Sequence, residues 1–224
     1  MTAINPHNTL AIIPARGGSK SVPRKNIVLL DGRPLIYHTI SKAQRSRYIS
    51  KLVVSTDDEE ISAIASGFGA EVIMRPAELA TDEARTEPVL IHVLNMLRDR
   101  DGYRPDIVLT LEPTSPLRSA DLIDRCVEEL AGSGADAVIT VVGTSALVGR
   151  VVENSHFQYL VPNQPRRRQE REPMYRESST VYATKTEVLR KTNSVTTQNK
   201  HGWNSSEVCT SSTFSPHRCV YVPR

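Results

Sequence analysis

A chain of 224 residues, 39% of them apolar, is long enough to bury a core and suits one α/β domain with a small appendage; aromatics at 5% make that core aliphatic. The net charge of +3 arises from well-mixed signs, and helix-turn-helix, zinc-finger and aromatic RNA-binding signatures are absent, so nucleic acid is not an expected partner. No apolar run approaches the ~20 residues that span a bilayer, Met1 to Thr9 is polar without a signal-peptide core, and Cys126, Cys209 and Cys219 lack metal-ligand spacing, which together give a cytoplasmic expectation without membrane attachment.

In chain order, Leu10-Ala11-Ile12-Ile13 predicts a buried strand that Pro14 ends. Arg16, Gly17, Gly18, Ser19, Lys20, Arg24, Lys25 and Asn26 follow. Adjacent glycines allow a tight path whose N–H groups point into one hollow. Lys20 and Lys25 bring point charges, and Arg16 a fork of donors, within reach of phosphate oxygens. The pattern alone fits a polyphosphate-gripping loop and a solvated basic loop about equally. It is neither a Walker A loop nor G-x-G-x-x-G.

Leu35–Ala43 predicts a helix, and Leu52-Val53-Val54-Ser55 a second strand. Ser55-Thr56-Asp57-Asp58 supplies a cap for a helix carrying Ile61, Ile64, Ala65 and Phe68, stopped by Gly69. Val72-Ile73-Met74 is a third strand. This alternation implies a parallel sheet with crossovers on its faces. Ligands then collect at the carboxyl ends of the strands, which places the 16–25 loop and Asp57 on one cleft. Thr86 is expected to cap a helix with Val89, Val93, Leu94 and Leu97 on one face. Residues 107–111 form a strand leading into Glu112-Pro113-Thr114-Ser115-Pro116-Leu117-Arg118, a rigid turn presenting two hydroxyls. Ser119 or Asp121 caps a helix with Leu122, Ile123, Cys126 and Leu130. Further strands are expected at 137–142 and 181–184, with a helix starting at Lys185.

The ordered string Ile13-Pro14-Ala15-Arg16-Gly17-Gly18-Ser19-Lys20, then Pro23 and Lys25-Asn26, resembles the opening signature of CMP-N-acylneuraminate synthetases and related cytidylyltransferases. Arg75-Pro76-Ala77-Glu78-Leu79-Ala80 and Pro113-Thr114-Ser115-Pro116-Leu117-Arg118 extend the match. The resemblance implies a Rossmann-like three-layer sandwich with a mostly parallel sheet, a small dimerisation arm, a homodimer, and Mg²⁺ as cofactor. It implies that Ala15, Arg16, Gly17, Gly18, Ser19, Lys20, Lys25, Asn26, Arg75, Thr86, Thr114 and Ser115 bind CTP. Arg16 and Lys20 would be the catalytic pair, stabilising charge as an acceptor oxygen attacks the α-phosphorus and pyrophosphate leaves. Glu112, Arg168, Arg176 and Tyr182 would contact a small acidic acceptor.

Departures bear on that acceptor. Glu112 replaces a frequent Gln, Ser178-Ser179 replaces Asn-Gly, and a His/Pro-rich segment after the 137–142 strand is missing. By family majority the acceptor is a nonulosonic, sialic-acid-like sugar acid. The arginines of 166–171 also suit a smaller, more charged acid such as phosphonoformate, an acceptor in phosphonate-antibiotic biosynthesis whose ionised oxygen needs no base. A non-catalytic nucleotide-binding protein is a second class. A nucleotide-sugar glycosyltransferase is a third, although its D-x-D motif is lacking. The expected division is a cytidylyltransferase domain at 1–201, with 143–180 as acceptor and dimerisation segment, and an atypical tail at 202–224. The tail lacks a sustained period and the acidic I-D-I-D-T-like segment that would hold Mg²⁺, leaving the metal ligands unassigned. A reading-frame change near Gly202 in the coding DNA is one explanation, since Ser212-Thr213-Phe214 can be re-read as Ile-Asp-Ile.

Overall fold

A computed structural model describes residues 4–20, 22–152, 156–171 and 174–196, and the backbone of 217–222. The elements in order are β1 (Thr9–Pro14), β2 (Leu29–Leu30), β3 (Arg33–Pro34), α1 (Leu35–Ala43), β4 (Ile49–Thr56), α2 (Glu59–Gly67) and β5 (Glu71–Met74). Then come α3 (Thr86–Asp101), β6 (Ile107–Thr110), α4 (Ala120–Ser133), β7 (Ala137–Thr144), β8 (Gly149–Val152), β9 (His156–Tyr159), β10 (Met174–Lys185), α5 (Thr186–Thr192) and β11 (His217–Val222).

A seven-stranded sheet runs β11-β7-β10-β6-β1-β4-β5. β1 pairs in parallel with β4 and β6, and β4 with β5. β10 is antiparallel to both β6 and β7, and β11 is antiparallel to β7. Five of these seven strands, β1, β4, β5, β6 and β7, therefore point the same way and β10 and β11 run against them: a mixed sheet that is mostly parallel in strand direction, as expected. Successive side chains of a strand face opposite sides, and β1 shows this directly. Ala11 and Ile13 join the core packed under α1, α2 and α4, while Leu10 and Ile12 join Leu90, Val93, Leu94 and Leu97 of α3. All four residues of the predicted strand are fully buried. Helices on both faces of one sheet complete the three-layer sandwich.

Three local expectations change. α3 begins at Thr86, but the capping position is Arg85 and no side chain caps it; Thr86 is the first helical residue, not the cap. The helix expected from Lys185 starts one residue later, because Lys185 still belongs to β10. In the tail, His217–Val222 adds a strand to the edge of β7. The run Cys219-Val220-Tyr221-Val222 is rich in residues that favour strands; residues 197–216, including the frame-change candidates, lie outside the described ones. Elsewhere the caps are as read: Asp58 accepts from the Ile61 N–H at 2.9 Å and Ser119 from the Leu122 N–H at 3.1 Å. Among the described residues β8 and β9 pair only with each other, within the segment expected to hold the dimerisation arm.

Candidate functional site

The carboxyl ends of β1, β5 and β6 open onto one cavity of about 230 Å³. Arg16, Gly18, Ser19, Lys25, Asn26, Arg75, Thr86, Glu112 and Thr114 line it, so nine of the residues expected from sequence converge there. A larger hollow of about 650 Å³ lies by the amino end of β6 and α5, away from these groups.

The first loop is held from below. Ala15 is fully buried and its N–H continues the β1–β4 ladder by donating to the Ser55 carbonyl at 2.9 Å. Ala15 thus contributes to core packing and does not line the cavity. A Cβ on Gly17 would lie 2.5 Å from Asp58 Oδ2 and 2.9 Å from its Cβ, so any larger residue there must displace the α2 cap. The Gly17 N–H donates to Asp57 Oδ1 at 3.1 Å. Gly18 differs: a Cβ there would meet no atom within 4 Å, so its small size leaves space on the open side of the loop. Asn26 is buried, and its Nδ2 donates to the Arg16 carbonyl at 2.9 Å. Arg24, in left-handed backbone at φ 55°, pairs with Asp58 and Glu60 and ties the loop to α2.

The cations above this base are unevenly satisfied. Arg16 donates to the Thr81 carbonyl at 2.7 Å and pairs with Asp82 at 2.8 Å. Lys20, largely exposed, reaches the other Asp82 oxygen at 2.6 Å. Asp82 therefore bridges the two residues expected to be catalytic, and their charges, the Lys20 ammonium first, hold its carboxyl below the ordinary range. Arg75 contrasts with both. Its side chain is 4% exposed, its Nε is buried without a hydrogen-bond partner among the described residues, and its nearest carboxylate, Asp57, is 3.8 Å away. Burial, with Arg16 also facing it, lowers its pKa. A buried guanidinium left short of acceptors is costly, and one beside a cavity is poised for an anion.

Opposite stands Glu112 at the end of β6. Burial raises the pKa of its carboxyl, while Arg118, Lys25 and Arg75 pull it back. The turn after Glu112 is anchored by Arg118, 2% exposed. Its guanidinium donates to the Thr180 carbonyl at 2.8 Å, the Glu112 carbonyl at 2.8 Å and Thr39 Oγ1 at 3.2 Å. Ser115 Oγ reaches the Ser179 carbonyl at 3.5 Å and does not line the cavity. Of the expected acceptor group, Glu112 alone lines it. Tyr182 is near enough to be influenced by the Glu112 charge; its hydroxyl bonds to Glu177 and Ser179, and burial followed by the Glu177 bond raises its pKa. Arg168 and Arg176 are exposed and outside the cavity lining.

Asp82, Arg85, Thr81 and the Arg118 anchor are additions to the sequence-derived set. Arg118 had a signal in the Pro113-Thr114-Ser115-Pro116-Leu117-Arg118 string, whereas Asp82 had only its position before α3. Among the described residues, no group of three or more His, Cys, Asp and Glu could hold a metal. The two cavity carboxylates do not form a cage: Asp82 is tied to two cations and Glu112 faces three.

The Asp82 bridge has a measurable consequence. Asp82→Asn frees Arg16 and Lys20 and is expected to tighten binding of inorganic pyrophosphate several-fold, read by titration calorimetry at fixed ionic strength. An unchanged Kd would mean that Asp82 does not occupy these cations in solution.

Comparison with known proteins narrows the chemistry. The CMP-N,N'-diacetyllegionaminic acid synthase of Legionella pneumophila is 44% identical over 120 residues, 53% of this chain and 51% of that protein. The N-acylneuraminate cytidylyltransferase of Escherichia coli is 40% identical over 119 residues, 53% of this chain and 27% of that protein. The matched part thus spans about half or less of these relatives' length. A solved structure of CMP:2-keto-3-deoxy-manno-octonic acid synthetase complexed with CTP superimposes with a TM-score of 0.64 at 21% identity, covering 86% of this chain and 79% of the other, and shares its fold. The family model described as Cytidylyltransferase matches residues 10–208, almost the whole described sheet, and the chain belongs to the cytidylyltransferase family.

Proposed function

We propose that this protein transfers CMP from CTP to the hydroxyl of a nonulosonic, sialic-acid-like sugar acid and releases pyrophosphate. The observation that carries the proposal is Arg75: a buried guanidinium with an unpartnered Nε, lining one cavity with Arg16 and Lys25. Three convergent cations at the end of a parallel sheet suit a triphosphate better than a single carboxylate. Family membership and the sugar-acid names of the relatives support the cytidine nucleotide and the acceptor class.

In this mechanism Arg75 and Lys25 hold the triphosphate, and Ser19 and Thr114 offer hydroxyls to it. Gly18 lets the backbone approach closely. Arg16 and Lys20 leave Asp82 and neutralise charge that builds on the α-phosphoryl and leaving pyrophosphate oxygens. Mg²⁺, if bound, would supply further charge neutralisation beside Arg16 and Lys20, and none of the described residues is assigned to hold it. No step is assigned to protein-held metal.

A homodimer is part of the proposal. Val151, Phe157 and Tyr159 of the β8–β9 hairpin, with the neighbouring Leu160, are exposed, which suits a contact between subunits. A cytoplasmic setting is proposed from cysteine usage: three cysteines without metal-ligand spacing, of which Cys126 is buried in the core. No helix among the described residues is long and apolar enough to cross a membrane.

The test is pyrophosphate release across a panel of CTP, UTP, ATP and GTP against nonulosonic acids, phosphonoformate and no acceptor. Release only with CTP and a nonulosonic acid is expected. Preference for phosphonoformate would replace the acceptor class, a result that the carboxylate of Glu112 in the cavity argues against. No release with any pair would leave a nucleotide-binding protein.

A further inference from the structure

We propose that Glu112 is the general base of the transfer, its carboxylate taking the proton of the acceptor hydroxyl. The inference rests on the function proposed above and assigns the one step which that mechanism leaves without a residue. A hydroxyl is a poor nucleophile until its proton has somewhere to go.

The cavity restricts the choice. Among the described residues lining it there is no His, Cys or Tyr, and the carboxylates are Asp82 and Glu112. Asp82 is engaged on both oxygens by Arg16 and Lys20, which favours its ionised form and weakens it as a base. The Glu112 carboxylate makes no hydrogen bond or ion pair with any described residue, although its own main-chain carbonyl is held by Arg118. Its backbone is fixed and its side chain is free to work.

Its surroundings also divide as the reaction requires. Four charged or titratable groups face it from the packed elements: Lys25 from the first loop, Arg75 beyond β5, Arg118 from the turn before α4, and Tyr182 from β10. The first two belong to the proposed nucleotide wall. Tyr182 belongs to the β10 cluster with Glu177 and Ser179, on the expected acceptor side. Glu112 therefore stands between the two substrates' proposed positions. Burial raises its proton affinity above that of an ordinary carboxyl, the direction that suits a base.

The step balances without another reactant. The acceptor oxygen forms a bond to the α-phosphorus as its proton passes to Glu112. The bond between the α-phosphorus and the bridging oxygen breaks, and pyrophosphate leaves with the electron pair. Glu112 then returns the proton to water. A fully ionised phosphonate oxygen carries no proton to remove, so the role is specific to a hydroxyl acceptor.

The experiment compares wild type, Glu112→Gln and Glu112→Asp for kcat and KM from pH 5 to 9 with CTP and a nonulosonic acid, alongside CTP binding. Glu112→Gln is expected to lower kcat by about 100-fold or more and to abolish the acidic limb of the kcat profile. CTP Kd should be unchanged or tighter, because a negative charge leaves the phosphate neighbourhood. Glu112→Asp should recover part of the rate and restore that limb. A Glu112→Gln enzyme with kcat near wild type and an intact acidic limb would overturn the assignment. Wild type that releases no pyrophosphate from CTP with any acceptor would instead overturn the proposed function, and the base with it. CTP binding by both variants certifies their folded site.

Discussion

Replacing Lys20 with alanine is expected to lower kcat by about 100- to 1,000-fold while changing the Kd for CTP far less. The asymmetry follows from the Asp82 bridge. In the free protein the Lys20 ammonium already contacts a carboxylate oxygen at 2.6 Å. Binding CTP exchanges one anion for another, so the ground state gains little from this residue. The transition state gains more, since charge accumulates on oxygens that no side chain neutralised before. Only interactions strengthened in the transition state raise kcat. Steady-state kinetics with equilibrium binding of CTP separate the two effects. Equal losses in kcat and affinity would remove the transition-state role. The double variant Lys20→Ala, Asp82→Asn sharpens the measurement: with the bridge already gone, the kcat loss should persist.

Arg118→Met is expected to destabilise the fold by about 3–5 kcal/mol, a drop in Tm on the order of 10 °C for a domain of this size. The residue touches no proposed substrate. Its guanidinium satisfies the Thr180 and Glu112 carbonyls and Thr39 Oγ1, joining the β6 turn, β10 and α1. Methionine fills the volume but leaves these acceptors without donors in a buried place. Burial already presses the Arg118 pKa down to about 10, a sign of how far this cation is removed from water. Lysine does not rescue it, because one ammonium cannot reproduce a planar fork aimed at three acceptors. Thermal melting of the Met and Lys variants checks this. A change in Tm under about 3 °C would mean that water replaces the lost donors.

Much of the first half of the molecule was legible because local pattern and global topology agree there. The apolar run at 10–13, the alternation of strand with amphipathic helix, and the caps at Asp58 and Ser119 each act within a few residues. Parallel connections of this type then force the loops to one edge. That is why Arg16, Lys25, Arg75 and Thr114, far apart in sequence, could be expected on one cavity.

The second half carried weaker local signals. Nothing within 137–142 announces that β10 lies between β7 and β6. Strand order across an antiparallel insertion is set by long-range pairing, which has no short sequence period. The β2–β3 hairpin did have a signal, Asp31-Gly32, both at positive φ as a two-residue hairpin turn demands. Asp82 is a different case. Its part depends on where Arg16 and Lys20 end up, more than 60 residues earlier in the chain, and a lone acid in a loop looks like solvated charge until then. The β11 strand was obscured because its strand-favouring run, Cys219 to Val222, is only four residues long and follows a stretch without a sustained period.

The Arg16–Asp82–Lys20 bridge also bears on which anions the protein notices. Asp82 is attached to the site, so it competes with dissolved anions at a high and constant local concentration. A dissolved ion must offer more than this tethered carboxylate does to take its place. Inorganic phosphate and simple carboxylates, with few charges and few oxygens, are expected to compete poorly, whereas the triphosphate of the proposed function would engage Arg16, Lys20, Lys25 and Arg75 together. On that reading the site would filter ligands by valence before it reads any base or sugar, and free phosphate would leave it unblocked.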